Sequence, residues 1–534
     1  MLPAAPSFER LALNRVTFGA REDDVRRVKD VGWKAWVDEQ LTPPNGDEDR
    51  VAAHIKSRSM HIAYAVQLPA GNSPGWPAVD ERRGLNYLDA DLPQIWEMVA
   101  KTEISIAPNE RRRIQQELAA ATWIRHTHAR YQLREFMADF WNTHFNIGRQ
   151  EDIYGAASLA YFDAHVTRPR VFGNFRDLLE AVAGSAAMLR YLNNAASGSV
   201  KPTENYVREL LELHTLGAPA YLGVDAPANV GTVTAGAFKV NAGFTDQDIV
   251  QAARAFSGWT VEQGQDGPKG KLPFTGRFIF NPVQHSANAG PFMGVDLART
   301  KDIAQGRMIL DILAAHPATA QFICEKLCRR IFGDTPPPAV VARATAAWTA
   351  NRDKPDQIKH VLRAVLLGPE VGAAPSKVRR PYERLIALFR TTSMTVHAYD
   401  GASDALADLG DGMFAWPTPD GRPDRDAHWL AKPANLQYWN LMFHLLDHPA
   451  FNTSFTDQTP PEVLASPTGL IEHWVGKMVG YSLRPAGMKA LIEDVQQEGR
   501  GFMAAYRTKG AANIENALRR LVVLIATSPE FAMR

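Results

Sequence analysis

The sequence predicts a mainly α-helical fold: a large multi-helix assembly with a small β insertion after a central helix. Three observations carry that prediction. Apolar residues recur at helical spacing along most of the 534 residues. Short β-branched runs among Gly and Pro are confined to one stretch, residues 218–280. The chain also exceeds the roughly 250–300 residues at which a single apolar core stops growing, so several packed parts are expected. These are an N-terminal helical part over 1–217, the insertion over 218–300, and a C-terminal helical part over 301–534 packed on the first as one composite unit.

Taken in order, residues 8–41 alternate apolar and charged side chains at helical spacing. Gly19 and Gly32 act as breaks and Pro43-Pro44 as a stop, which reads as two short helices. Residues 73–92, rich in Pro, Gly and Asp, read as a surface crossing. A long helical run over 92–147 is broken at Pro108 and Asn109. Within it Leu133, Phe136, Met137, Phe140, Trp141 and His144 share one side of a helical wheel, with Glu135, Asp139 and Asn142 opposite. The central helix is expected to be capped by Thr203 and to stop at Gly217. In the insertion, Gly231-Thr232-Val233-Thr234 and Phe278-Ile279-Phe280 are the candidate strands. Thr245 with Asp248 forms a capping box for a helix that Gly258 ends. Helices follow over 304–332, 356–367, 380–394 and 512–526, with a loop over 417–433 anchored by Trp416 and Trp429.

Composition narrows the function classes. With 45% hydrophobic and 22% charged residues and a formal charge of +1, the chain is neither disordered nor a basic nucleic-acid binder. No apolar run of 18 or more residues occurs, so no membrane insertion is expected, and the first residues lack the pattern of a signal peptide. Cys324 and Cys328, four apart beside apolar neighbours, read as buried thiols rather than a zinc or disulfide pair.

Several motifs carry a family resemblance. They are Leu11-Ala12-Leu13-Asn14-Arg15, Phe140-Trp141-Asn142-Thr143-His144-Phe145, Met188-Leu189-Arg190-Tyr191-Leu192-Asn193-Asn194, the central run from Glu204-Asn205-Tyr206 to His214-Thr215-Leu216-Gly217, Phe244-Thr245-Asp246, Ser257-Gly258-Trp259, and the segment from His316-Pro317 to Ile331-Phe332. Together they resemble the DUF1800 family over nearly the whole chain. The resemblance implies a bacterial protein, often exported to the periplasm or beyond, and often encoded beside a DUF1501-type protein as a companion. It implies no catalytic residues. The chain departs from the family pattern at His285-Ser286-Ala287-Asn288-Ala289-Gly290, where members commonly carry Asp after the histidine and then Gly and Lys.

The central helix supplies the main candidate site. Asn205, Arg208, Glu209 and Glu212 share one face of a helix that is apolar around most of the rest, so the polar seam must be satisfied inside the protein. Two readings compete. Arg208, flanked four residues away by Glu204 and Glu212, can form an internal ion-pair ladder. Alternatively the seam faces a cleft, with Glu209 and Glu212 as acid/base groups and Asn205 and Arg208 as substrate binders. His144 and His285 are secondary catalytic candidates, and Trp141 and Trp259 are candidate binders for a sugar-like substrate. No metal or cofactor is expected: His214 lies about 160° around a regular helix from Glu212, too far for one ion. Gly-x-Ser-x-Gly, P-loop and His-Glu-x-x-His motifs do not occur. The expected function is an enzyme, a hydrolase or lyase, acting on a polar substrate, with a glycan as the candidate class, by carboxylate chemistry. The alternative is a non-catalytic scaffold or assembly partner of an exported companion protein.

Overall fold

A computed structural model describes residues 2–148, 152–224, 230–374, 377–394, 406, 410–430, 432–447, 453–497, 501–507 and 511–534. The fold is mainly α, with only small two-stranded antiparallel sheets. The region 8–40 makes three helices rather than two, Phe8–Val16, Glu22–Val31 and Trp33–Gln40. Gly32, at φ +83°, turns the chain between the second and third without a linker. Residues 73–92 are not wholly a crossing. Val79–Gly84 pairs with Ser59–Tyr64 as a hairpin, although its mostly charged residues lack the apolar alternation that marks a strand in sequence.

The long helical run divides into Leu92–Lys101, Asn109–His128 and Gln132–His144. In the last of these both faces are buried: Phe136, Met137 and Trp141 on the apolar side, Glu135 and Asp139 on the polar side. A carboxylate in that position needs partners, and arginines supply them. Glu135 pairs with Arg134 and Arg168, Asp139 with Arg330, Arg380 and Arg422.

The insertion forms hairpins from Thr232–Ala235 with Phe238–Asn241 and from Trp259–Gln263 with Phe274–Phe280, plus two short pairs. Residues 225–229 of this stretch lie outside the described residues. Between the hairpins runs the helix Asp246–Phe256. The Thr245 side chain accepts from the Asp248 amide, and Asp248 accepts from the Thr245 amide, which is the expected capping box.

Among the described residues the apolar core gathers in two large clusters and a small one of Val51, Ile124 and Ala129. One runs from Ala12 through Val371 and includes the helices Ile303–Ala315 and Pro317–Phe332. The other joins Phe18 and Trp123 to the helices Pro381–Thr391, Pro467–Met478 and Ala511–Ala526. Cys324 and Cys328 are buried free thiols in the first cluster. Among the described residues no helix is long and apolar enough to cross a membrane.

Candidate active site

The central helix is regular only over Asn205–Glu209; Leu210–His214 continues it as a π-helical turn. Thr203 does not cap it. Its own amide donates to Ser197 Oγ at 3.0 Å, and Glu204 precedes the first turn without a side-chain cap. The widened turn ends with Thr215 Oγ1 donating to the Leu210 carbonyl at 2.6 Å and the Gly217 amide to that of Leu211 at 3.1 Å. A wheel of 3.6 residues per turn therefore no longer describes the helix beyond Leu210. Such π turns recur at functional sites because they redirect side chains and carbonyls.

The polar seam is half-exposed rather than internal. Arg208 pairs with Glu204 at 2.9 Å and with Asp246 at 3.5 Å, not with Glu212, so only half of the expected ladder forms. Asn205 is exposed and donates to the Leu192 carbonyl at 3.3 Å. Glu209 and Glu212 make no ion pair among the described residues. Partial burial, with Glu212 and Asp420 nearby, raises the Glu209 carboxyl above its ordinary pKa.

What the π turn does deliver is the backbone carbonyl of His214. It accepts from Nε2 of His144 at 3.1 Å, and Nδ1 of His144 accepts from Lys326 Nζ at 3.1 Å. With both partners fixed, the network assigns the His144 proton to Nε2. Burial, the Lys326 charge and the neighbouring His214 hold His144 neutral, far below its usual pKa. Burial brings the Lys326 amine down to about 8; Asp424 and Asp420 oppose that shift while Arg329 adds to it. Among the described residues no carboxylate lies within ion-pair distance of Lys326, and its ammonium keeps N–H donors free after the bond to His144.

His144 and Lys326 both line a cavity of 510 Å³, closed on its far side by residues 420–428. That loop is seated by close backbone approach. Gly421, at φ +79°, leaves 2.0 Å between an added Cβ and the Thr143 carbonyl oxygen, and Gly148 would meet the carbonyls of Trp416 and Pro417 at 2.6 Å. Asn146 Nδ2 donates to the carbonyls of Trp416 at 3.1 Å and Thr418 at 2.7 Å, and the Tyr191 hydroxyl to Pro417 at 3.2 Å. Six cationic side chains line the cavity, Lys326, Arg329, Arg330, Arg380, Arg422 and Arg425, against two carboxylates, Asp420 and Asp424.

Of the other expected residues, Trp141 and Trp259 are core side chains. Trp141 donates to the Val171 carbonyl at 3.2 Å, and Trp259 is 1% exposed against Phe256 and Phe278. His285 ties the loop after the second hairpin to the body, with Nδ1 2.8 Å from the Ser257 carbonyl and Nε2 3.2 Å from Gln305 Oε1. Neither it, Glu209 nor Glu212 lines the cavity of Lys326 and His144. Asp420 connects the two regions, since its charge acts on both Glu209 and Lys326. Sequence reading missed Lys326, Arg425 and Asp420. A lysine following a buried cysteine on a helix was the one available signal, in Ile323-Cys324-Glu325-Lys326. Among the described residues no three His, Cys, Asp or Glu side chains gather as metal ligands.

Fold and site together define a helical protein with a cation-lined cavity, built from the resemblance segments 140–145 and 316–332 with Arg380 and the 420–428 loop, while segment 204–217 stands behind it through the His214 carbonyl. The family model for proteins of unknown function, DUF1800, matches residues 11–533, and the chain belongs to that family. No curated protein and no solved structure matches it.

Proposed function

We propose that the protein is an enzyme, a hydrolase or lyase, that acts on a polar substrate in the 510 Å³ cavity by proton transfer at Lys326. One observation carries this reading: an amine without a carboxylate partner, hydrogen-bonded to a neutral buried imidazole, opens onto a cavity with its pKa near 8. A group poised close to working pH is available as both acid and base. His144 positions the amine by accepting a hydrogen bond from it at Nδ1, and the His214 carbonyl fixes the imidazole by accepting one from Nε2. Glu209, with its raised pKa, and Glu212 stand on the Asp420 side as further acid/base candidates. With Trp141 and Trp259 in the core, stacking against a sugar ring does not contribute to the argument.

The test is a substrate panel of esters, amides, phosphoesters and glycosides run on the purified chain. Turnover is expected to change around pH 8 and to fall by on the order of 100-fold in Lys326→Met, the scale of general acid–base catalysis. Turnover unchanged in Lys326→Met removes this centre. In the same screen Glu209→Gln and Glu212→Gln report whether the carboxylates take part.

A further inference from the structure

Six cationic side chains line this cavity, and two of the six make no ion pair among the described residues. Arg330 and Arg380 are matched from behind by Asp139 and Glu383, Arg422 by Asp139 and Asp411, and Arg329 by Glu325. Asp424 shares Lys377 with Asp334 and Asp426, so its charge is only partly cancelled. Lys326 and the exposed Arg425 are the two lining cations without an ion-pair partner among the described residues, and they share the wall with Asp424 and with Asp420, whose carboxylate accepts from Thr418 Oγ1. Lys326 comes from the helix Pro317–Phe332 and Arg425 from the loop closing the cavity, so the two unmatched cations belong to separate elements. A second observation is independent of charge counting. Arg329 Nε, Arg330 Nε and Nη1, and Arg380 Nε, all on lining residues, are buried N–H donors with no acceptor among the described residues. Closed off from the open space of the cavity, these donors add positive potential to its wall and leave direct contact with a ligand to Lys326 and Arg425.

We propose that the ligand of this cavity carries a tetrahedral oxyanion, a phosphate or sulfate group, held between Lys326 and Arg425. The inference rests on reading the cavity as the substrate site and adds the chemical class of what enters it. A compact group with several anionic oxygens can accept from an ammonium on one side and a guanidinium on the other, whereas a neutral sugar leaves both charges uncompensated.

Binding, rather than turnover, tests this. Inorganic phosphate, sulfate, acetate and methyl glucoside are titrated into the full chain by calorimetry, with thermal shift in parallel. Phosphate or sulfate is expected to bind with a salt-sensitive affinity, and methyl glucoside not to bind. Lys326→Met and Arg425→Gln should each weaken the anion by roughly 10-fold or more, the value of one charge-assisted hydrogen bond. Lys326→Met keeps the stem length, and Arg425 is exposed, so the second variant reports even if the first is poorly folded. Absence of phosphate and sulfate binding, binding unaltered in both variants, or acetate binding as tightly as either anion overturns the proposal. Variant-sensitive anion binding without turnover of any panel substrate would leave the oxyanion site standing and remove the enzymatic reading. Lys326-dependent turnover of neutral substrates without anion binding would do the reverse.

Discussion

Lys326 is a cation whose nearest hydrogen-bond partner is a histidine that cannot take a second proton at neutral pH. His144 is buried, faces a positive charge and already donates from Nε2, so it serves as an acceptor only. Around the amine stand His144 and His214 on the inner side, Arg329 on its own helix, and Asp420 and Asp424 on the loop. The amine should lose its charge near pH 8, and competitive labelling with an amine-selective reagent across pH measures this directly. A midpoint at the ordinary lysine value of 10.5 would contradict the geometry. Oxyanion affinity should follow the same titration, full below about pH 8 and falling as pH rises through it. His144→Phe removes the acceptor that favours the charged amine, so the labelling midpoint is expected to drop further.

At the scale of elements, the π turn Leu210–His214 and the loop around Gly421 bring distant groups to one place. The turn presents the His214 carbonyl to His144; the loop sets Asp420, Arg422 and Arg425 opposite Lys326. Gly421→Ala puts a side chain at positive φ and into the Thr143 carbonyl. It should destabilise the protein by about 1 kcal/mol or more and weaken anion binding, since the loop has to lift. Asn146→Ala removes two hydrogen bonds to the same loop and is expected to cost about 1–3 kcal/mol by denaturant titration. Full stability in both variants would mean that the loop is held by something else.

For the whole molecule, a buried charge network joins segments far apart in sequence. Asp139 on the helix Gln132–His144 holds Arg330, Arg380 and Arg422, while Glu383 holds Arg330 and Arg534. Burial works against both carboxylates, but the arginines outweigh it and hold both pKa values well below the usual range. Asp139→Asn should cost about 3–5 kcal/mol, because three arginines lose the charge that compensates them in a dry interior. A loss under 1 kcal/mol, roughly the value of a surface ion pair, would show that water reaches the cluster.

Acid stability follows from the same groups. His126 and His214, buried, and His128, half-buried, are held at about 4, 3 and 3 respectively, so they are protonated first in the unfolded chain. Their stabilisation is therefore full above about 6.5 and declines as pH falls below it. Glu117, pushed up to about 7 mainly by burial, acts in the opposite direction between 4.5 and 7, as do Glu209, Asp411 and Asp426, which burial also raises, but the histidines held low outnumber them. Burial of Glu135 is outweighed by Arg168 and Arg134, which keep it at about 2, so its contribution is lost from about 4.5 downward together with those of Asp139 and Glu383. The melting temperature should fall gradually from pH 7 to 5 and steeply below 4.5. A flat profile down to pH 4 would refute this assignment.

Much of the fold was legible from local signals. Helical spacing, the Thr245–Asp248 capping box, the Pro108–Asn109 break and the buried cysteine pair each depend on a few consecutive residues, and each appears in the structure. The hairpin at 59–84 was not legible, because pairing of charged strands depends on a partner and not on a pattern. His144 was visible as a histidine on an apolar face. Its role as an acceptor depends on Lys326, 182 residues away, and on the His214 carbonyl, one of those that a helix C-terminus leaves without an intrahelical partner. By itself the sequence determined the family and the mainly helical class, since propensity, capping and motif are properties of neighbouring residues. Only the tertiary structure decided which charges are matched across the interior, leaving Lys326 and Arg425 open to a ligand, because electrostatic compensation depends on distance in space and not along the chain.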